Sequence, residues 1–197
     1  MKRVSVIGGS CTGKTTLSRE LARRLGVPHI ELDALHHDAG WQEAPAEVLQ
    51  ARVDAALAAA PDGWVVDGNY HGKIGTSVVG RADTVVLLDL PQRVALRRVL
   101  WRTASRVVTG KELWNGNRET LRNALSRDSI IWWVIRQHST YEKKWMPRLA
   151  ALTDVSVVRL RSPREVRSWV QSIQETEPMS GSSKRSDRQN TPPLAET

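Results

Sequence analysis

The sequence predicts a three-layer α/β fold, with helices covering both faces of a five-stranded parallel sheet. Two observations predict it. Five short strand-like runs rich in Val, Ile and Leu alternate with helical patterns, and the runs at 64–66 and 85–88 are apolar at every position rather than at every second one. A strand covered on both faces needs apolar residues on both.

The first run, residues 2–7, ends in Gly8-Gly9 and reads as a buried strand entering a tight turn. A helix is expected from about Lys14, with Leu17, Leu21 and Leu25 on one stripe and Gly26 and Pro28 as stop signals. Residues 29–33 read as a second short strand. Pro45 opens a helix whose Leu49, Val53, Ala56 and Leu57 share a face, closed near Pro61. Residues 64–67 and 84–90 are two further strands, each with an Asp near its end. A long helix over 92–108 precedes one or two Trp-rich helices across 117–150. The last strand, 155–160, leads into a helix opened by the capping box Ser162-Pro163-Arg164-Glu165, with Val166, Trp169, Val170 and Ile173 as its stripe. From there the chain turns to Ser, Lys, Arg, Gln, Pro and Thr with little to bury. The expected organisation is one domain over 1–175 and a disordered tail over 176–197.

A chain of 197 residues with 40% apolar content suits a single α/β domain with a real core. One Cys excludes a disulfide framework, and no Cys/His spacing suits a structural zinc ion. The basic N-terminus carries too short an apolar run for a secretory signal, and no stretch approaches a membrane span, so a cytoplasmic location is expected. The net charge of +8 is unevenly placed. Residues 1–90 carry 9 basic and 11 acidic side chains, residues 91–175 carry 17 and 7, and the rest are balanced. The positive charge belongs to the second half and needs a local explanation.

Gly8-Gly9-Ser10-Cys11-Thr12-Gly13-Lys14-Thr15 fits G-x-x-x-x-G-K-[ST], placed between a strand and a helix as the motif requires. Glycines let the backbone curl so that successive N–H groups point at phosphate oxygens, and the following helix adds its N-terminal partial charge. Lys14 is expected to reach the β- and γ-phosphates and the Thr15 hydroxyl to ligate Mg²⁺, with Thr16 completing the nucleotide contacts. Asp67, closing the apolar run Trp64-Val65-Val66-Asp67, is the candidate second Mg²⁺ residue. Asp89 competes for that role, but Leu90-Pro91 after it reads as the start of a helix, whereas Gly68 after Asp67 permits close approach. Cys11 sits inside the loop, beside a helix N-terminus that favours its thiolate.

These residues resemble the P-loop kinases that phosphorylate small molecules, of the adenylate-kinase and shikimate-kinase type, over residues 1–175. Asp67-Gly68-Asn69-Tyr70 looks like the strand-plus-Asp-Gly element of nucleoside monophosphate kinases, and Leu88-Asp89-Leu90-Pro91 with its Arg-rich helix like their lid approach. Closer still, Glu31-Leu32-Asp33-Ala34-Leu35-His36, Asp67-Gly68-Asn69-Tyr70 and Glu112-Leu113-Trp114-Asn115-Gly116-Asn117-Arg118-Glu119 look like the bacterial topology modulation (adenylate-kinase-like) proteins. The resemblance implies the P-loop NTPase fold, ATP with Mg²⁺, and a helical Arg-rich lid over about 98–122. The loop Arg161-Ser162-Pro163 sits where such kinases commonly touch adenine. Two departures stand out. The Thr-Gly-Asp…Arg segment of monophosphate kinases is replaced by Ile30-Glu31-Leu32-Asp33-Ala34-Leu35-His36-His37, and their Pro-Arg after Asp-Gly-aromatic by Asn69-Tyr70-His71. An acid after the second strand is instead reminiscent of shikimate- and gluconate-type kinases.

Asp33 is therefore the candidate for orienting and deprotonating an acceptor hydroxyl. Trp41, Asn69 and Tyr70 are expected to wall the acceptor pocket, with His36 and His37 near it. Adjacent histidines on a regular element do not face one site, which argues against a metal there. Along the helix after Pro91, Arg98, Arg102 and Arg106 recur every four residues, opposite Leu96, Leu100, Ala104 and Val107. No acid interrupts it, so ion pairing within the helix does not explain the arginines. Arg98, Arg102 and Arg118 are the candidates for closing on the transferring phosphoryl. The expected function is Mg²⁺- and ATP-dependent phosphorylation of a small molecule by a monomer or homodimer. The alternative is a nucleic-acid-binding regulator with ATP as a switch. It rests on the basic half and the interleaved Trp101, Trp114, Trp132, Trp133 and Trp145, without a nucleic-acid-binding signature.

Overall fold

The computed structural model puts the first strand at the centre of the sheet. It describes residues 1–109, 115, 145, 147–150 and 154–174. Strand β1 (Arg3–Gly8) leads through the glycine loop into α1 (Lys14–Leu25). Strand β2 (His29–Glu31) runs directly into α2 (Leu32–His36), and a short hairpin of β3 (His37–Asp38) and β4 (Gln42–Glu43) precedes α3 (Ala46–Ala58). Then come β5 (Trp64–Asp67) with α4 (His71–Ile74), and β6 (Thr84–Leu88) with α5 (Gln92–Thr109). Strand β7 (Ser156–Leu160) and α6 (Pro163–Ser172) follow.

The main sheet has the order β2-β5-β1-β6-β7, with every neighbour parallel. Successive side chains of a strand point to opposite faces. Accordingly Trp64 and Val66 join a core with Leu32, Leu49, Val53 and Leu87, while Val65 joins a second with Val4, Leu17, Leu21 and Leu160. Each fully buried Val or Leu contributes roughly 1.5–3 kcal/mol. The expected fold class and its five parallel strands are those observed. The stripe Val166, Trp169, Val170 and Ile173 packs on the second core. Its helix is capped as expected: Ser162 Oγ accepts the Glu165 N–H at 3.2 Å, and the Glu165 carboxylate accepts the Arg161 N–H at 2.9 Å.

Three expectations are corrected. The second strand stops at Glu31, because Leu32 is buried against Gly68 and the chain turns into α2. A Cβ on Gly68 would stand 2.7 Å from Leu32 Cβ, and its φ of +134° suits only glycine. The buried face of α5 is Ala95, Val99 and Thr103, while Leu100 and Ala104 are exposed. Small residues there let the helix lie close to the glycine loop, with Cys11 and Leu96 packed on Ala95 and Val99. The strand expected over 84–90 ends at Leu88, and Asp89 accepts from Arg159 of β7. The Trp-rich helices over 117–144 and the tail over 176–197 lie outside the described residues, as does the lid beyond Thr109 apart from Asn115. Among the described residues no helix is long and apolar enough to cross a membrane.

Candidate active site

The strand order brings the C-terminal ends of β1, β2 and β5 side by side, so the glycine loop, Glu31 and Asp67 share one edge of the sheet. Lys14 opens α1 and folds back over the loop, its Nζ donating to Gly8 O and Gly9 O, each at 3.1 Å. Thr12 Oγ1 also donates to Gly9 O, at 2.8 Å. Cys11 holds a φ of +61°. Burial pushes the Lys14 ammonium below its ordinary pKa, while the Asp33 and Asp67 carboxylates pull it back up. Both acids thus act on the cation expected to meet the phosphates.

Asp67 is 2% exposed, and its Oδ2 has no hydrogen-bond partner among the described residues. It lies 3.5 Å from His29 Nε2. Thr15 Oγ1 donates to Glu31 Oε1 at 3.2 Å, and Glu31 is directly in register with Asp67. Glu31 was not singled out from sequence. The signal was available: an acid closing the short run His29-Ile30-Glu31, as Asp67 closes its own. A buried carboxylate oxygen without a donor, beside a hydroxyl and a second carboxylate, suits a hard cation. No group of three or more His, Cys, Asp or Glu gathers around a metal position among the described residues. That sparse oxygen set suits Mg²⁺, which keeps several waters and substrate phosphates as ligands. Asp89 offers no such vacancy, since Arg159 Nε donates to it at 2.8 Å.

Helix α2 presents Asp33 in its first turn, where Oδ1 accepts the Tyr70 hydroxyl at 2.7 Å. Burial and the neighbouring Asp33 push the Tyr70 phenol upward, so it stays a donor. The two histidines converge after all. The His36 ring lies tilted by 55° to the Tyr70 ring with centroids 4.5 Å apart, and His37 Nε2 lies 3.4 Å from the Tyr70 hydroxyl, because α2 ends between the two histidines. Trp41 meets His37 edge-on at 5.6 Å. Asn115 Nδ2 donates to His37 O, tying that residue to the same side. Asn69 does not wall this pocket. Its carboxamide faces Gly8.

Of the candidate arginines, Arg98 donates to Thr12 O in the loop. Arg102 lies near enough to add to the depression of Lys14, and its buried Nε has no partner among the described residues. Arg118 lies outside the described residues. Trp145 is buried against His71, 5.5 Å away, and so is not an open stacking surface.

Comparison with known proteins agrees with this architecture. A family described as an AAA domain matches residues 3–67, the stretch from β1 to Asp67. No curated protein matches the chain. Shikimate kinase from Bacteroides thetaiotaomicron superposes with a TM-score of 0.51 at 17% identity, over 86% of this chain and 94% of that one. Shikimate kinase from Acinetobacter baumannii, solved in complex with shikimate, gives 0.54 at 14% identity, over 88% and 90%. At such identities the likeness is one of fold. Residues 3–67 thus resemble an AAA domain, and the whole chain has the α/β fold seen in these shikimate kinases.

Proposed function

We propose that this protein is an ATP-dependent kinase that transfers the γ-phosphoryl group of ATP to a small hydroxyl- or phosphate-bearing acceptor, with Mg²⁺. One observation carries the reading: Lys14, folded over the phosphate loop, feels two carboxylates, Asp67 with an unpartnered oxygen and Asp33 held by Tyr70. The loop N–H groups and Lys14 bind and orient the phosphates. Asp33 orients an acceptor hydroxyl and takes its proton as the new O–P bond forms and the bond from the β-phosphate breaks, leaving ADP. Arg98 and Arg102, with Arg118 expected beyond the described residues, supply forked donors to the charge on the phosphoryl oxygens. Thr15, Asp67 and Glu31 are the residues that would hold Mg²⁺, which when bound neutralises phosphate charge. On this reading the protein is kin to the topology modulation group, its kinase domain spans 1–175 and it acts in the cytoplasm.

The test is a panel of hydroxylated metabolites and nucleotides scored for ADP release. Lys14→Ala should lower turnover about a hundredfold or more. Unchanged nucleotide binding and turnover in that variant would sink the reading.

A further inference from the structure

Strands β1 and β5 stay in register from Arg3 and Trp64 to Val6 and Asp67. Beyond that pairing Gly8 still has a partner on the β5 side. The Asn69 carboxamide accepts the Gly8 N–H at 3.3 Å and donates through Nδ2 to Gly8 O. A primary amide offers the same donor and acceptor as a peptide group, so Asn69 continues the ladder with its side chain. On the opposite edge Gly8 is in register with Leu88, whose carbonyl oxygen stands 2.7 Å from where a Gly8 Cβ would lie. Gly8 is therefore buried and gripped from both sides.

Lys14 must leave Gly8 O and Gly9 O before its ammonium can reach a phosphate. Each carbonyl has a second donor in place, Thr12 Oγ1 on Gly9 O and Asn69 Nδ2 on Gly8 O. A buried carbonyl that loses its only donor carries the full desolvation cost. We infer that Asn69 is a positioning residue for Lys14: it holds the Gly8 carbonyl so that the ammonium is released to the nucleotide without stranding a buried acceptor. This rests on the proposed nucleotide site and adds a role that site did not include.

A double-mutant cycle tests it, with a non-hydrolysable ATP analogue and Mg²⁺ titrated by calorimetry and with each unliganded variant melted as a check on folding. Asn69→Ala should weaken binding about tenfold with Lys14 present. In the Lys14→Met background the same change should cost less than about twofold, since no ammonium remains to be released. Asn69→Asp keeps the acceptor for the Gly8 N–H but lacks the donor and places a carboxylate beside Lys14, so it should bind at least as weakly as Asn69→Ala. Equal losses in both Lys14 backgrounds make Asn69 a scaffold residue and overturn the inference, as does wild-type affinity in either Asn69 variant. Failure of the wild-type protein to bind the analogue is a different result, and it overturns the nucleotide site itself.

Discussion

Asp33 owes its usefulness to its neighbours. Tyr70 fixes one oxygen, and Leu32 beside it is seated on Gly68. Asp33→Asn removes the proposed base while preserving shape, so kcat should fall between about a hundred- and ten-thousandfold with KM for ATP nearly unchanged. An equal effect on both parameters would point to binding instead. Gly68→Ala places a methyl group against Leu32 and strains the backbone, and should lower stability by roughly 1–3 kcal/mol while displacing Asp33. His36 carries a pH signature. Burial, then the Lys73 ammonium and His37, hold its imidazole below the ordinary histidine value. The unfolded chain therefore takes up that proton at higher pH than the folded one, and stability falls as pH drops through the ordinary histidine range. Melting from about pH 8 to 5.5 should show the decline, and His36→Gln should flatten it. The glycine loop and Asp67 were legible in the sequence because each follows an apolar run, and Asp33 through the resemblance to shikimate- and gluconate-type kinases. Asn69 was not, since nothing in Asp67-Gly68-Asn69-Tyr70 says which way an amide turns once Gly68 has redirected the chain.

At the scale of elements, α5 shows where pattern reading falls short. Its leucines and arginines suggest an apolar Leu face, yet Ala95, Val99 and Thr103 are the buried residues, with Cys11 of the glycine loop packed on Ala95 and Val99. Hydropathy ranks Leu above Ala, but contact distance decides which is buried. Trp101, 79% exposed, sits on the outward side with Leu100. Helix α6 shows the opposite case, where a local rule was sufficient. Its box is closed by contacts within five residues, Arg161 to Glu165, so distant packing had no vote. Ser162→Ala should cost about 1 kcal/mol, seen as a lower melting temperature with the fold retained. No change on melting would mean that packing of Trp169 alone fixes this helix.

Across the whole molecule, the sheet order was legible as a class, five buried parallel strands, but not as a sequence of neighbours, because periodicity says which faces are covered and not which strand lies beside which. The order matters for ligand response. A ligand bound only by the folded chain stabilises it by mass action, about 2.7 kcal/mol at a hundred times Kd. A saturating ATP analogue with Mg²⁺ should therefore raise the melting temperature by several degrees, and Lys14→Ala should erase the rise. A final consequence concerns synthesis. Strand β1 emerges first, yet its partners β5 and β6 lie about 60 and about 80 residues downstream. Asn69 and Leu88, the two flanks of Gly8, are made in that interval. On the ribosome the glycine loop is thus made early and shaped late: until β6 has left the exit tunnel, the proposed nucleotide site has no cradle.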